Sequence, residues 1–435
     1  MLKKIFPIGI FFILVIFSNL SCAQTNEKQI ALINTSHLDS LYEDITIENK
    51  SMGIIHIYSD FPDYKWIGDD DEGIACVDDA ARAAVFYLKY YQFKNDTESL
   101  RKAKSLLQFL LFMQAENGYF YNFIWPDHTI NKTFKTSVAK PDWWSWRAVW
   151  ALMEGYEIIK EKDSVFAKEI LKKVEMTVHK IEKDIPQKLI TKDIKGFKRP
   201  TWLPLESASD QAAILLLGLT TYYQNTGKKE IYDYCKNLAD GIILMQEGDK
   251  HIYPFGAILS WENVWHGWGN LQSYSLLKFY EVSKYEPAKT AALKEIDNFY
   301  TYLIDQSYYS EIIFDKIDGK ILPRETKQFS QIAYLIRPIV FSCLEAYKVT
   351  NSDKYSVMAG VAGGWFFGKN IVDQQMYFPK TGICYDGINS KEEINKNSGA
   401  ESTIEALLSL LEISKNPRAM KEVEMYQSKK ENNQN

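Results

Sequence analysis

The chain is poor in cysteine. It has five in 435 residues, with no Cys-x-x-Cys pair and no Cys/His spacing of the zinc-binding kind. Cys76, Cys235, Cys343 and Cys384 lie far apart, three of them inside helical patterns, and read as buried free thiols rather than a disulfide framework. Also lacking are a glycine-rich phosphate loop, a dinucleotide fingerprint, a Gly-x-Ser-x-Gly elbow and a His-Glu-x-x-His pair. Their absence sets aside the enzyme classes those motifs define. Positive charge is not in excess either, with 51 Lys and Arg against 56 Asp and Glu and a net charge of −5. A nucleic-acid partner or an anionic membrane surface needs a basic face, so neither is expected. No cofactor or metal is expected; Asp69 to Glu72 reads as an acidic surface loop rather than a calcium site.

Long hydrophobic runs are scarce too. The single one, Ile5 to Phe17, follows Lys3 and Lys4 and is shorter than the ~20 residues of a spanning helix. Residues 1–22 therefore read as a signal peptide. Ser21-Cys22-Ala23 suits ordinary cleavage before Gln24, while Leu20-Ser21-Cys22 resembles a lipobox with Asn19 where a large apolar residue is usual. The lipoprotein reading is preferred, with Cys22 as the lipid anchor. An exported protein is expected, periplasmic or held at the outer membrane, touching a membrane only through that lipid. Losing Lys3 and Lys4 takes the charge of the mature chain from −5 to −7.

Aromatic residues, in contrast, are abundant at 14%, including 27 Tyr and 11 Trp. They suit both a large core and a sugar cleft, where the apolar face of a pyranose packs on a flat ring.

Strand signals are sparse, and helical periodicity dominates. Predicted helices fall into pairs: Cys76–Phe93 with Asp96–Ala115, Asp142–Lys160 with Ser164–Lys183, Glu206–Gln224 with Lys228–Met245, His266–Ser283 with Pro287–Gln306, and Phe329–Val349 with Ser352–Lys369. Ala400–Ser414 opens a sixth pair, completed either by the segment after Pro417 or by the one near Ile30 to Tyr42. First members recur about every 64 residues, far beyond the ~34 of a tetratricopeptide unit. They are the more apolar, as inner helices should be, and their partners are more charged. This pattern predicts an all-α fold, an (α/α)6 toroid of six helical hairpins in one domain spanning 23–435. Turns within pairs are short, whereas connections between pairs run to about 20 residues and are rich in Trp, Pro, Gly and Asp. Those long loops emerge where the inner helices start, so the pocket should lie at that end, lined by helix N-termini.

The inner helices open on Val77-Asp78-Asp79-Ala80-Ala81-Arg82, Asp142-Trp143-Trp144-Ser145-Trp146-Arg147, Trp202-Leu203-Pro204-Leu205-Glu206 through Asp210, Trp265-His266-Gly267-Trp268-Gly269-Asn270, and Gly399-Ala400-Glu401. Capping accounts for Asp142 and Ser398. It does not account for paired aspartates followed by Ala-Ala-Arg, nor for four Trp between 143 and 150.

The phrase Cys-Val-Asp-Asp-Ala-Ala-Arg-Ala (76–83) resembles the Asp-Asp-Asn-Ala-Arg-Ala signature of six-hairpin glycosidase-like domains, with Ala80 in place of its Asn. Asn-Ser-Gly-Ala-Glu-Ser-Thr-Ile-Glu-Ala-Leu (397–407) is similar to a second phrase of that group. The resemblance implies the toroid and a carbohydrate substrate.

Glycoside hydrolysis needs a carboxylic acid to protonate the leaving oxygen and a second carboxylate as base or nucleophile. The expected pair is Asp79 and Asp210, with Asp78, Glu206 and Glu401 as substitutes or substrate-binding groups. Arg82 and Arg147 are candidates for an anionic sugar, although Arg82 also suits pairing with Asp78. Trp143, Trp144, Trp202, Trp265 and Trp268 are candidate stacking platforms, with His266 and Asn270 as further substrate-binding groups. Two other readings share the scaffold. A polysaccharide lyase or sugar epimerase acting on a uronate-containing glycan would use a His or Tyr base, with His266, Asn270 and Tyr274 on one helix at spacings of four. A non-catalytic surface glycan-binding lipoprotein would show Trp platforms without paired acids.

Overall fold

A computed structural model describes residues 32–185 and 188–434, with side chains described to 428. The expected signal peptide and Cys22 lie outside the described residues.

Twelve helices form the six pairs: α1 (Val77–Lys94) and α2 (Thr97–Phe112); α3 (Trp143–Ile159) and α4 (Ser164–Asp184); α5 (Ser209–Thr226) and α6 (Lys229–Leu244); α7 (Gln272–Ser283) and α8 (Glu286–Glu295), which runs on through a π-turn at Ile296–Tyr300 into Thr301–Asp305; α9 (Ala333–Thr350) and α10 (Asp353–Gly363); α11 (Ala400–Ser414) and α12 (Pro417–Gln434). Each odd-numbered helix packs on the next, and α11 packs back on α1, closing the inner ring. The inner helices are buried nearly all round; α5 is buried without interruption from Ser209 to Thr220. In α4, by contrast, Ala167, Ile170, Val174, Val178 and Ile181 form one buried stripe. The toroid expected from the 64-residue period is the observed fold. The sixth hairpin is completed by α12, while the short helix Ser36–Leu41 also packs on α11.

The turns inside pairs are tight for a local reason. Four inner helices end on a left-handed residue, Asn95, Gly227, Lys284 or Asn351, whose N–H returns to a carbonyl of the last turn. That cap reverses the chain within two or three residues.

Three predicted helix starts are corrected, one of them a shift from Phe329 to Ala333, where α9 begins. Leu205 and Glu206 sit at positive φ, and Leu203 N–H donates to the Glu206 carbonyl, so this segment is a turn and α5 begins at Ser209. Val264–His266 is a strand paired with Glu311–Ile317, which itself pairs with Lys320–Lys327. Gly269, at φ +75°, then breaks the chain direction before α7. His266, Asn270 and Tyr274 therefore do not share a helix. Further short antiparallel pairs, such as Tyr42–Ile47 with Lys50–Ile55, occupy the loops and escaped the helical periodicity. Cys76, Cys235, Cys343 and Cys384 are free and buried. No helix among the described residues is long and apolar enough to cross a membrane.

The outer layer is tightly fitted at Gly360 in α10, where a Cβ would lie 2.4 Å from the Ala419 carbonyl oxygen of α12. Gly360→Ala is expected to lower the unfolding free energy by about 1–3 kcal/mol despite its better helix propensity, measured by urea denaturation. An unchanged midpoint would mean that α12 is not seated on α10.

Candidate active site

At the end of the ring where the inner helices start, two pockets adjoin. One, of about 280 Å³, is lined by Tyr58, Asp79, Asp386, Asn389, Asn395, Glu401 and Ser402 among others. The second, of about 350 Å³, is lined by Glu72, Asp78, Asn122, Trp143, Trp144, Arg147 and Trp268 among others. Both share Ile332, Tyr334 and Glu401, so they are lobes of one cleft with Glu401 at the junction. A cavity of about 510 Å³ at the other end of the ring is lined by Glu154, Thr221, Lys278, Glu281 and Lys348, and has no aromatic wall.

The cleft floor is an ion-pair cluster assembled from four inner helices. Arg82 of α1 donates through Nη2 to Asp79 Oδ1 (2.5 Å) and through Nη1 to Glu401 Oε2 (2.8 Å) and Glu405 Oε1 (3.3 Å) of α11. Arg337 of α9 also pairs with Glu405. Arg147 of α3 meets Asp78 Oδ1 at 2.6 Å and donates to the Tyr334 hydroxyl at 3.0 Å. All three guanidiniums lie against the Tyr334 ring, at 5.0–5.5 Å from its centroid. Local sequence explains the placement. Asp79 and Arg82 are one turn apart on α1, and Glu401 and Glu405 one turn apart on α11, so each pair projects from one helix face.

The carboxyls divide by environment. Asp79 is buried, and that burial raises its pKa against the opposing pull of Arg82, with Glu401 adding to the rise. Its Oδ2 accepts from the Cys76 thiol. Asp386 was not singled out in the sequence. Burial pushes its pKa up too, opposed by bonds from the Ser402 hydroxyl (2.6 Å) and Gly399 N–H (2.8 Å) and reinforced by the charges of Glu401 and Asp60. Both bonds use Oδ1, so Oδ2 has no hydrogen-bond partner among the described residues. Glu401 is half-exposed and likewise engages one oxygen only, Oε2.

Asp210 stands elsewhere. Its Oδ2 lies 2.8 Å from His266 Nε2, and its Oδ1 accepts from Gln211 N–H. His266 Nδ1 lies 2.8 Å from the Trp268 carbonyl oxygen, which can only accept, so Nδ1 carries a hydrogen. Both ring nitrogens are therefore engaged, and neither His266 nor Asp210 lines the two lobes. The imidazole stacks on the Trp268 indole at 3.7 Å, and Trp268 leans on Trp143 with centroids 5.7 Å apart. Gly269 permits this contact, since a Cβ there would come within 3.3 Å of both Trp143 and the Tyr334 hydroxyl.

The structure thus brings Asp78, Asp79, Arg82, Trp143, Trp144, Arg147, Trp268 and Glu401 together around the cleft. Asn270 is buried behind it, bonded to Ser260, Gln272 and the His266 carbonyl. Three expectations are corrected. Glu206 is an exposed turn residue paired with Lys192, away from the lobes. Trp202 is buried with its indole N–H on the Asn237 carbonyl, and Trp265 is buried edge-on against Phe299, so both serve the core. Sequence reasoning missed Asp386, Tyr334, Arg337 and Glu405. Glu405 was within reach as the residue one turn after Glu401; Asp386 sits in a loop with no periodic signal.

No family model and no curated protein matches the sequence. Solved structures do match in fold. A sugar epimerase from a ruminal bacterium aligns over 91% of this chain and 99% of its own at 14% identity, TM-score 0.61. Cellobiose 2-epimerase from Bacillus thermoamylovorans aligns over 90% and 99% at 13% identity, TM-score 0.62. A metagenome-derived glycoside hydrolase family 9 endoglucanase aligns over 90% and 81% at 12% identity, TM-score 0.51. At these identities the likeness is one of fold, the (α/α)6 toroid.

Arg82→Ala would leave Asp79 and Glu405 buried without their shared cation. It is expected to cost about 3–5 kcal/mol of stability, read from chemical denaturation. A loss below 1 kcal/mol would mean the cluster is not holding the ring.

Proposed function

We propose that this protein is an exported enzyme acting on an oligo- or polysaccharide, and that it hydrolyses a glycosidic bond with Glu401 and Asp386 as its carboxyl pair. The observation that carries this reading is that both border the same pocket with one oxygen tied down and the other unengaged. Burial favours the protonated form of Asp386, suiting it to give its proton to the glycosidic oxygen as the bond to the anomeric carbon breaks. Glu401, held by Arg82, then serves as base toward the attacking water or as nucleophile. Asp79 shares Arg82 and helps fix Glu401; Trp143 and Trp268 offer the stacking surface. The fold neighbours include sugar epimerases and an endoglucanase, which supports a sugar substrate.

Hydrolysis of an oligosaccharide panel tests the pair. Glu401→Gln is expected to lower kcat by about 10²–10⁴ with the unfolding midpoint kept. Asp386→Asn should do the same on natural linkages but retain turnover of aryl glycosides with good leaving groups, which need no proton. The acid must be protonated to work, so activity is held below the Asp386 pKa and lost as pH rises through it. Because that pKa is raised, the alkaline limb should lie above the usual carboxylate range and disappear in Asp386→Asn. Full activity in both variants would sink the assignment.

A second reading, epimerisation beside the carbonyl of a reducing sugar, is favoured by the buried His266–Asp210 dyad. It requires His266 to release one of its two partners before it can take a substrate proton. Its signature is deuterium uptake from D2O into uncleaved sugar, lost in His266→Gln but kept in Glu401→Gln. Export through Cys22 predicts lipid labelling that Cys22→Ala abolishes.

A further inference from the structure

We infer that the two lobes accept uncharged sugars and exclude glycans carrying a carboxylate or sulfate at the units they hold; this rests on the carbohydrate reading above. The sequence offered Arg82 and Arg147 as anion receptors, and both turn out to be paired with carboxylates of the protein itself. Arg82 spends Nη2 on Asp79, Nη1 on Glu401 and Glu405, and Nε on the Asp78 carbonyl. Arg147 spends Nη1 on Asp78 and Nη2 on Tyr334, while its guanidinium lies against Trp143. Its buried Nε has no partner among the described residues, and each terminal nitrogen keeps a second hydrogen. The charge of both guanidiniums is already balanced by carboxylates of the cluster, which an incoming carboxylate or sulfate would have to displace, whereas the N–H groups left over suit hydroxyl or water oxygens.

The surrounding charge has the same sign. Arg147 is the one basic residue lining either lobe among the described residues, and no lysine does so. Across the cleft and its floor, three guanidiniums (Arg82, Arg147, Arg337) face six carboxyls: Glu72, Asp78, Asp79, Asp386, Glu401 and Glu405. Protons on both Asp79 and Asp386 would still leave one negative charge over. Among the described residues the Glu72 carboxylate has only the Tyr58 hydroxyl as partner and no cation. An incoming carboxylate or sulfate would meet unpaired like charge in a partly desolvated space. What remains for recognition is neutral: Asn122, Asn389, Asn395, Ser402 and a buried Thr136 hydroxyl with no partner among the described residues. These groups match hydroxyls, and the Trp143–Trp268 wall matches a pyranose face.

The test is binding of Asp386→Asn protein to an array of defined oligosaccharides. It pairs neutral gluco-, xylo-, manno- and galacto-oligosaccharides with oligogalacturonides, glucuronate-capped xylo-oligosaccharides and sulfated galactans. Neutral members are expected to bind, with the acidic counterparts at least tenfold weaker at low ionic strength, and Glu72→Gln added to the same protein should narrow that gap. Equal or tighter binding of the acidic member, or a gap that ignores Glu72→Gln, overturns the exclusion while leaving the sugar reading intact. Retention of no glycan by a folded protein overturns the sugar reading itself, and this inference with it.

Discussion

Arg82 is the constraint on which the rest of the structure depends. It stands on the first inner helix and holds two carboxylates of the last, so it closes the ring at the one seam that no loop connects directly. A charge this deeply buried is tolerable only when fully paired, and Arg82 is paired on both terminal nitrogens. Arg337 completes the arrangement by sharing Glu405, and Tyr334 gives all three guanidiniums a common aromatic face. A hydrophobic seam of the same volume would satisfy packing equally well. The ionic one does something more, because it fixes the direction of Glu401 at the junction of the two lobes.

Stability and the proposed chemistry are thereby joined in one cluster. Asp79 and Glu405 sit on its buried side, where their charge is absorbed by the fold. Glu401 sits on the open side with an oxygen to spare, and Asp386 approaches from the loop that precedes α11. The long loops after the outer helices all arrive at this end, so each repeat can contribute a side chain without disturbing the ring. α1, α3, α9 and α11 contribute directly, and the segment before α7 brings Trp268. α5 contributes Asp210 from behind, through the imidazole stacked beneath that Trp268.

The toroid carries both bond-cleaving and isomerising chemistry among its fold relatives, so architecture does not choose between them. The proposed hydrolysis rests instead on which groups have a free atom facing the cleft. Here the carboxyls do, and the imidazole has both nitrogens occupied. The paired arginines support the inferred preference for uncharged sugars in the same way, since a cation already neutralised by its neighbours has little left for an anionic ligand.

Six hairpins, the inner and outer character of their helices and the end at which the pocket opens were all written in the periodicity, because burial all round and burial on one face leave different patterns in a sequence. The acids at the starts of α1 and α11 were visible for the same reason: they stand at a fixed place in a repeat. Partnership was not visible. Whether Asp210 faces the cleft or an imidazole, whether Trp202 and Trp265 line a wall or fill the core, and whether two arginines are free or paired all depend on contacts between residues tens to hundreds of positions apart. Asp386 lies in an irregular loop where no period marks it, and only the folding of that loop across α11 makes it part of the site. Periodicity records how much of a residue is buried; only the closed ring decides against what.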